Sequence, residues 1–302
     1  MKGEDTAKDF RSGYVAIIGR PNVGKSTLLN GVLGEKVSIV TSRPQTTRRR
    51  IIGIRTTGQS QIIFIDTPGF HRPQNKLGEF MVKEARESLK DADIILFLVE
   101  PRSPGHGDTF IIERLKEQGK VCPVLLLINK IDLVKKSELL PIIDEYHLCY
   151  PFDVIFPLSA LNAEDVKLLL KDVEERLPHG PKYYPDDIVT DQYERFVVGE
   201  MIREKVMEVT EEEVPHSVAV EIVQWTERED GMILLSANIY VERKGQKGII
   251  IGKGGERLKV IGSAARADIE KFLGRKVFME LWVKVKEGWR SDTRVLKDLG
   301  LH

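Results

Sequence analysis

Cysteine is scarce, with only Cys122 and Cys149 in a chain of 302 residues. They lie in the apolar stretches VCPVLLLI and YHLCYPF without metal-ligand spacing. Neither a disulfide framework nor a thiolate metal site is expected, and both read as buried thiols in a reducing compartment. No apolar run approaches the roughly 18 residues that a membrane-spanning helix requires. The opening MKGEDTAKDF has no apolar centre of the kind a secretory signal carries. Net charge is also missing, 46 basic residues facing 46 acidic ones. Internal repeats and low-complexity tracts are absent. What remains is a cytosolic or peripheral globular protein of about two domains. With 41% hydrophobic residues, each domain can bury a core without staples.

The zero charge averages unlike parts. Residues 1–180 hold 26 basic and 24 acidic residues, residues 181–231 hold 5 and 14, and residues 232–302 hold 15 and 8. The basic end suggests a polyanionic partner.

In the first half, continuous apolar runs read as buried strands: YVAIIG (14–19), QIIFID (61–66), DIILFLVE (93–100), VLLLIN (124–129) and VIFPLS (154–159). Amphipathic helical patterns separate them, which predicts a mainly parallel sheet covered on both faces. The proline-rich PHGPKYYPDD (178–187) breaks the pattern. Beyond it the expected order is helix, strand, strand, helix, helix, strand. The fold class is therefore an α/β domain over 1–180 followed by an α+β domain over 181–302.

Gly19-Arg20-Pro21-Asn22-Val23-Gly24-Lys25-Ser26 fits G-x-x-x-x-G-K-[ST] between a strand and a helix. Glycines let several backbone N–H groups wrap around phosphates at a helix N-terminus. Asn22, Val23, Gly24, Lys25, Ser26 and Thr27 would form the cradle, with Lys25 on the outer phosphates and the Ser26 hydroxyl on Mg²⁺. Asp66-Thr67-Pro68-Gly69 ends a later strand. There Asp66 can hold the Mg²⁺ shell, and the Gly69 N–H can sense a γ-phosphate. Asn129-Lys130-Ile131-Asp132 follows another strand. The Asp132 carboxylate can accept from the N1–H and exocyclic amine of guanine, a donor pair that adenine lacks. Asn129 can tie the base to the phosphate loop, and the Lys130 stem can cover the base. Ser159-Ala160 ends the next strand, where the Ala160 N–H could reach guanine O6. Four motifs in order, each at a strand's carboxyl end, lie where open α/β sheets bind ligands.

Residues 14–177 thus resemble a P-loop GTPase, and Pro44-Gln45-Thr46-Thr47-Arg48 resembles the first switch of Era-type GTPases. The resemblance implies that a switch threonine completes the Mg²⁺ shell; Thr47 is favoured and Thr46 is the alternative. Lys25, Thr47 and Gly69 would then act on the reacting phosphate, with Ser26, Thr47 and Asp66 as metal ligands. Ras-like enzymes place a water-orienting glutamine after D-x-x-G. Here Phe70 and then His71 follow Gly69, so slow intrinsic hydrolysis is expected. Asn22 resembles the asparagine of potassium-activated relatives, which implies a K⁺ site.

In the basic half, Ile251-Gly252-Lys253-Gly254-Gly255-Glu256-Arg257 contains G-x-x-G between two helical segments. In KH modules such a loop clamps about four nucleotides of backbone. The local order of elements is that of a type II KH domain. Ile251, Gly252, Lys253, Gly254, Gly255, Arg257 and Lys284 are the expected RNA contacts. A P-loop GTPase domain followed by such a module resembles the Era family of ribosome-assembly GTPases over nearly the whole chain. That resemblance implies GTP/GDP and Mg²⁺ as ligands, and the 3′ end of small-subunit ribosomal RNA and the small subunit as partners. It also implies a cytoplasmic monomer with loose peripheral contact at the inner face of the membrane. The alternative is a signalling GTPase whose C-terminal domain binds protein.

Overall fold

The computed structural model describes residues 9–41, 43, 46–70, 73–119 and 121–301. The chain divides into two compact units. The first comprises residues 1–38, 47–72 and 81–191, and the second comprises 39–46, 73–80 and 192–302.

The first unit is built on six strands: β1 (Arg11–Gly19), β2 (Ile51–Thr56), β3 (Ser60–Asp66), β4 (Ile94–Val99), β5 (Val124–Ile128) and β6 (Val154–Pro157). Their spatial order is β2-β3-β1-β4-β5-β6. All neighbours run parallel except β2 and β3. The β3 and β4 runs are buried at every residue, as a sheet covered on both faces requires. One face carries α2 (Lys76–Lys90), α3 (His106–Gln118) and α4 (Lys136–Cys149), whose Ala85, Leu89, Ile111, Leu115, Ile142 and Tyr146 join the strands in one core. Cys122 and Cys149 pack against that core as free, half-buried thiols, less enclosed than their apolar surroundings in the sequence imply. Helix α1 (Lys25–Leu33) packs against β1, β2, β3 and α5 (Ala163–Arg176). From β1 the chain proceeds to β3 on one side, then returns past β1 to β4 on the other. This reversal opens the crevice at the carboxyl end of β1 where ligands bind in such sheets.

Two further features differ from the sequence reading. Strand β2, IIGIRT, pairs antiparallel with β3, with Ile54 opposite Ile63. The proline-rich segment also does not simply leave the sheet. The N–H groups of Tyr183 and Tyr184 donate to Gln61 Oε1 at 2.7 and 2.9 Å, and Ile54 N–H donates to the Val189 carbonyl at 2.7 Å. Its prolines remove competing backbone donors while it lies along the edge.

The second unit follows the expected order: α6 (Glu194–Val209), β7 (Ala219–Glu227), β8 (Ile233–Val241), α7 (Lys244–Ile251), α8 (Glu256–Leu273) and β9 (Val277–Val285), then α9 (Thr293–Asp298). Strand β8 is central, antiparallel to β7 and parallel to β9. Val198, Ile202, Ile239, Ile250, Ile261, Ala265 and Val283 share its core. Within this unit Val40 and Thr46 are held by α6. Val40 N–H donates to Glu204 Oε1 at 2.8 Å, and the guanidinium of Arg203, only 1% exposed, donates to the Thr46 carbonyl. Among the described residues no helix is long and apolar enough to cross a membrane.

Candidate nucleotide site and nucleic-acid surface

The phosphate loop leaves β1 at Gly19 and closes on α1 through Gly24, whose φ of 103° is left-handed. A side chain at Gly24 would also meet Asn129 Nδ2 at 2.2 Å, so this glycine is required for both conformation and space. Lys25 begins the helix and is buried. Its ammonium donates to the carbonyls of Arg20 at 2.8 Å and Gly19 at 3.2 Å. Burial pushes the Lys25 amine down to about 8, and the nearby Arg20 charge adds to this, while Asp66 opposes it. A buried amine whose hydrogen bonds among the described residues go to neutral carbonyls is suited to a polyanion that restores its charge.

Beside it, three hydroxyls converge on one carboxylate oxygen. Asp66 Oδ2 accepts from Ser26 at 2.8 Å, Ser38 at 3.1 Å and Thr47 at 3.2 Å. Ser26 Oγ and Thr47 Oγ1 are 3.0 Å apart. Asp66 Oδ1 is buried, and the hydrogen bonds of the described residues leave it unpaired. Burial raises the Asp66 carboxyl; Lys25 and the three hydroxyls oppose that rise. An orphaned buried oxygen beside two hydroxyl oxygens is the donor set a hard divalent cation takes, so these residues fit Mg²⁺. Of the two candidate threonines, Thr47 joins the cluster, whereas Thr46 Oγ1 donates to the Arg43 carbonyl at 2.8 Å. Ser38 had no motif to announce it. It is placed by Asn30 of α1, whose amide oxygen accepts from the N–H groups of Val37 at 3.0 Å and Ser38 at 2.9 Å.

Gly69 packs so closely that a Cβ would sit 2.7 Å from the Pro21 nitrogen. Phe70 is buried in the core at 3% exposure, and its N–H donates to the Gly19 carbonyl at 3.3 Å. His71 lies outside the described residues. Thr27, on the first turn of α1, is half-buried.

The base-reading loop is joined to the phosphate loop by side chains. Asn129 Nδ2 donates to the Val23 carbonyl at 2.8 Å, and Lys130 Nζ donates to the Asn22 carbonyl at 2.7 Å. Asn22 and Lys130 are both left-handed, with φ of 66° and 64°. The Ala160 N–H, expected to face guanine O6, instead donates to Asn129 Oδ1 at 2.8 Å. Thus Asn129 binds all three loops. Ser159 is fixed through its N–H to Asp165 Oδ2 at 2.8 Å. Asp132 is exposed and lines, with Ser159, Ile131, Leu139 and Pro157, an open cavity of about 700 Å³.

In the second unit, α7 ends at Gly252 and α8 starts after Gly255. Gly252, Gly254 and Gly255 have φ of 72°, 60° and 84°. A Cβ on Gly252 would press Arg257 Cβ at 2.8 Å, whereas Gly254 and Gly255 face open space. Arg257 Nη1 donates to the Ile249 carbonyl at 2.6 Å, closing the loop across its base. Lys253 is exposed and Ile251 half-buried beside it. Phe278, Glu280, Trp282 and Lys284 share the exposed face of β9.

A nucleotide cradle at the switch of a mainly parallel sheet, followed by a mixed three-stranded unit with an open glycine loop, defines a P-loop GTPase joined to a KH module. Family models agree: 50S ribosome-binding GTPase over residues 14–130 and KH domain over 213–290. The chain is 51% identical to the GTPase Era of Ruminiclostridium cellulolyticum, covering 96% of this chain and 97% of that one. It is 52% identical to that of Lacticaseibacillus paracasei, covering 97% of each. Two solved structures match it over 97% of this chain and 99% of their own, at 42% identity. One is Era with MgGDPNP and nucleotides 1506–1542 of 16S ribosomal RNA, at a TM-score of 0.93. The other is a tyrosine-to-alanine variant of Aquifex aeolicus Era bound to GDP·AlF4⁻, at 0.92. The chain belongs to the GTPase Era family.

Proposed function

We propose that this GTPase binds the 3′ end region of 16S ribosomal RNA through its KH module and, switched by GTP, assists maturation of the small ribosomal subunit. The observation that carries the reading is the loop at 252–255. Its left-handed glycines present backbone without side chains, and Lys253 adds a positive charge. The relative crystallised with nucleotides 1506–1542 supports the choice of RNA. We assign GTP handling to residues 1–180 and RNA binding to residues 181–302. The protein would act as a monomer in the cytoplasm, with peripheral contact at the inner membrane face.

In the hydrolytic step Lys25 neutralises charge on the outer phosphates, and the Gly69 N–H senses the γ-phosphate. Asp132 reads the guanine edge while Lys130 covers the base. Ser26, Thr47 and Asp66 would hold Mg²⁺, which when bound offsets charge developing on the phosphate oxygens. Phe70 is committed to the core and offers no hydrogen bond to an attacking water, so intrinsic turnover is slow. Left-handed Asn22 would help to hold a K⁺ that adds positive charge at the transition state. On that reading hydrolysis is faster in KCl than in NaCl at matched ionic strength, and equal rates would remove the K⁺ role.

The test of the main reading is crosslinking of the protein to total cellular RNA with and without a non-hydrolysable GTP analogue. Enrichment of the small-subunit 3′ end, stronger with the analogue, is the expected result. RNA binding that is weak and flat with salt would instead favour the protein-binding signalling GTPase, because phosphate contacts make affinity fall steeply as salt rises.

A further inference from the structure

The cations around the nucleotide loops are gathered by a carboxylate that belongs to none of the four motifs. Glu100 follows directly on β4. Its Oε1 accepts from Lys130 Nζ at 2.8 Å, the same ammonium that donates to the Asn22 carbonyl. Its Oε2 lies 3.7 Å from Arg20 Nη2 and 2.9 Å from Arg102 Nη2. Arg20, the second residue of the phosphate loop, is anchored on its other side. Its Nε donates at 2.7 Å to Asp108 Oδ1, a carboxylate with no exposed surface. The other Asp108 oxygen accepts the Gly105 N–H at 3.0 Å, capping α3. Gly107 leaves room for the arginine, since a Cβ there would lie 2.3 Å from Arg20 Cδ. Burial alone would raise the Glu100 carboxyl, but Lys130, Arg102 and Arg20 outweigh it and hold it below the usual carboxylate range.

We propose that Glu100 is a positioning residue for guanine-nucleotide binding, clamping the Lys130 of the base-reading loop and the Arg20 of the phosphate loop in one arrangement. Lys130 has a left-handed backbone and a flexible four-carbon stem. Without an anchor its ammonium loses rotamer freedom only when nucleotide arrives, and the complex bears that cost. With Glu100 in place the amine already rests on the Asn22 carbonyl before the base enters. Asp108 acts one step further out by fixing Arg20 on α3. Glu100 touches neither phosphate nor base, so it governs residence of nucleotide rather than the chemical step. The inference rests on the nucleotide site and not on the choice of RNA.

The experiment is stopped-flow dissociation of a fluorescent GDP and a fluorescent GTP analogue from the full chain, comparing wild type, Glu100→Gln and Glu100→Asp. Loss of one charge-assisted hydrogen bond is expected to speed release of both nucleotides about tenfold. Single-turnover hydrolysis and the melting temperature of the nucleotide-free protein should stay unchanged, and Glu100→Asp should recover part of the residence time. In a double-mutant cycle, Glu100→Gln should add little to Lys130→Met. Unchanged release overturns the proposal. So does slower release, which would mean that Glu100 merely dilutes the positive field felt by the phosphates. Additive effects in the cycle overturn it as well, as does faster release matched by a lower melting temperature, which marks a structural role. Should wild type bind no guanine nucleotide, the nucleotide site itself fails, an outcome separate from any of these.

Discussion

Lys25 carries its charge in a place that does not favour it. The amine is buried, two backbone carbonyls are its hydrogen-bond partners among the described residues, and its pKa has dropped from 10.5 to about 8. Between those values the unfolded chain binds more protons than the folded one. Stability of the nucleotide-free protein therefore rises as pH climbs from about 8 towards 10.5. Nucleotide reverses the sign, because phosphate oxygens favour the ammonium. Binding then takes up a proton above pH 8, and GDP affinity should fall as pH rises through about 8, by up to about tenfold per pH unit. Calorimetry at about pH 8.5, just above that midpoint, in two buffers of different ionisation enthalpy should register the proton uptake. Lys25→Met should abolish both the uptake and the slope. A flat affinity across the pH unit on either side of about 8 in wild type would show that the amine is already charged before nucleotide binds. At this scale the site was legible where chemistry demands adjacent residues, as in the phosphate loop and the N-K-x-D tetrad. Ser38, Asn30, Glu100 and Asp108 were not legible. Each is brought to the site by folding across many residues, and an isolated serine or glutamate has no pattern to distinguish it.

Among the elements, the glycine loop between α7 and α8 lends itself to the sharpest test. Gly254 and Gly255 have no neighbour within 4 Å of a prospective Cβ, so on the protein side a substitution meets only backbone strain. Gly254→Ala should cost about 1–2 kcal/mol of stability through its left-handed φ, and should weaken RNA binding by more than the lost stability explains. Lys253→Ala should leave stability unchanged and lower the slope of log affinity against log salt by about 0.7, one phosphate contact on a single strand. Filter binding across a salt series measures both. An unaltered slope would place Lys253 off the RNA path. The order of elements here was readable because period-two and period-3.6 patterns alternate cleanly. Strand β2 was missed for the opposite reason. IIGIRT follows a run of arginines, contains Gly53, and turns polar at its end, so nothing local marks a strand. Its identity comes from pairing with β3 and from Gly53, where a Cβ would strike Leu33 at 2.6 Å and Leu29 at 2.8 Å.

Over the whole molecule, the path of the chain itself joins the candidate nucleotide site to the KH unit. Residues 39–46 and 73–80 belong to the second unit, while their flanks on both sides belong to the first. Thr47, hydrogen-bonded to Asp66, is joined by one peptide bond to Thr46, whose carbonyl takes a hydrogen bond from Arg203 of α6. Ser38, also on Asp66, stands two residues before Val40, whose N–H is held by Glu204. A nucleotide that favours one arrangement of Thr47 therefore biases a segment bound to the first helix of the KH unit, and by linkage RNA must alter nucleotide affinity by the same factor. Arg203→Met preserves most of the buried volume but removes the donor to Thr46. The ratio of RNA affinities with GTP analogue and with GDP, typically about 5–150-fold in coupled systems, should shrink towards unity in this variant. The preference for the GTP analogue over GDP measured with RNA, divided by the same preference measured without RNA, should shrink by an equal factor. Fluorescence titration of all four corners of that cycle supplies both numbers. An undiminished ratio would mean that the nucleotide signal does not travel through residues 39–46, and that the second excursion, 73–80, with its Lys76 to Thr293 hydrogen bond at 3.0 Å, carries it instead.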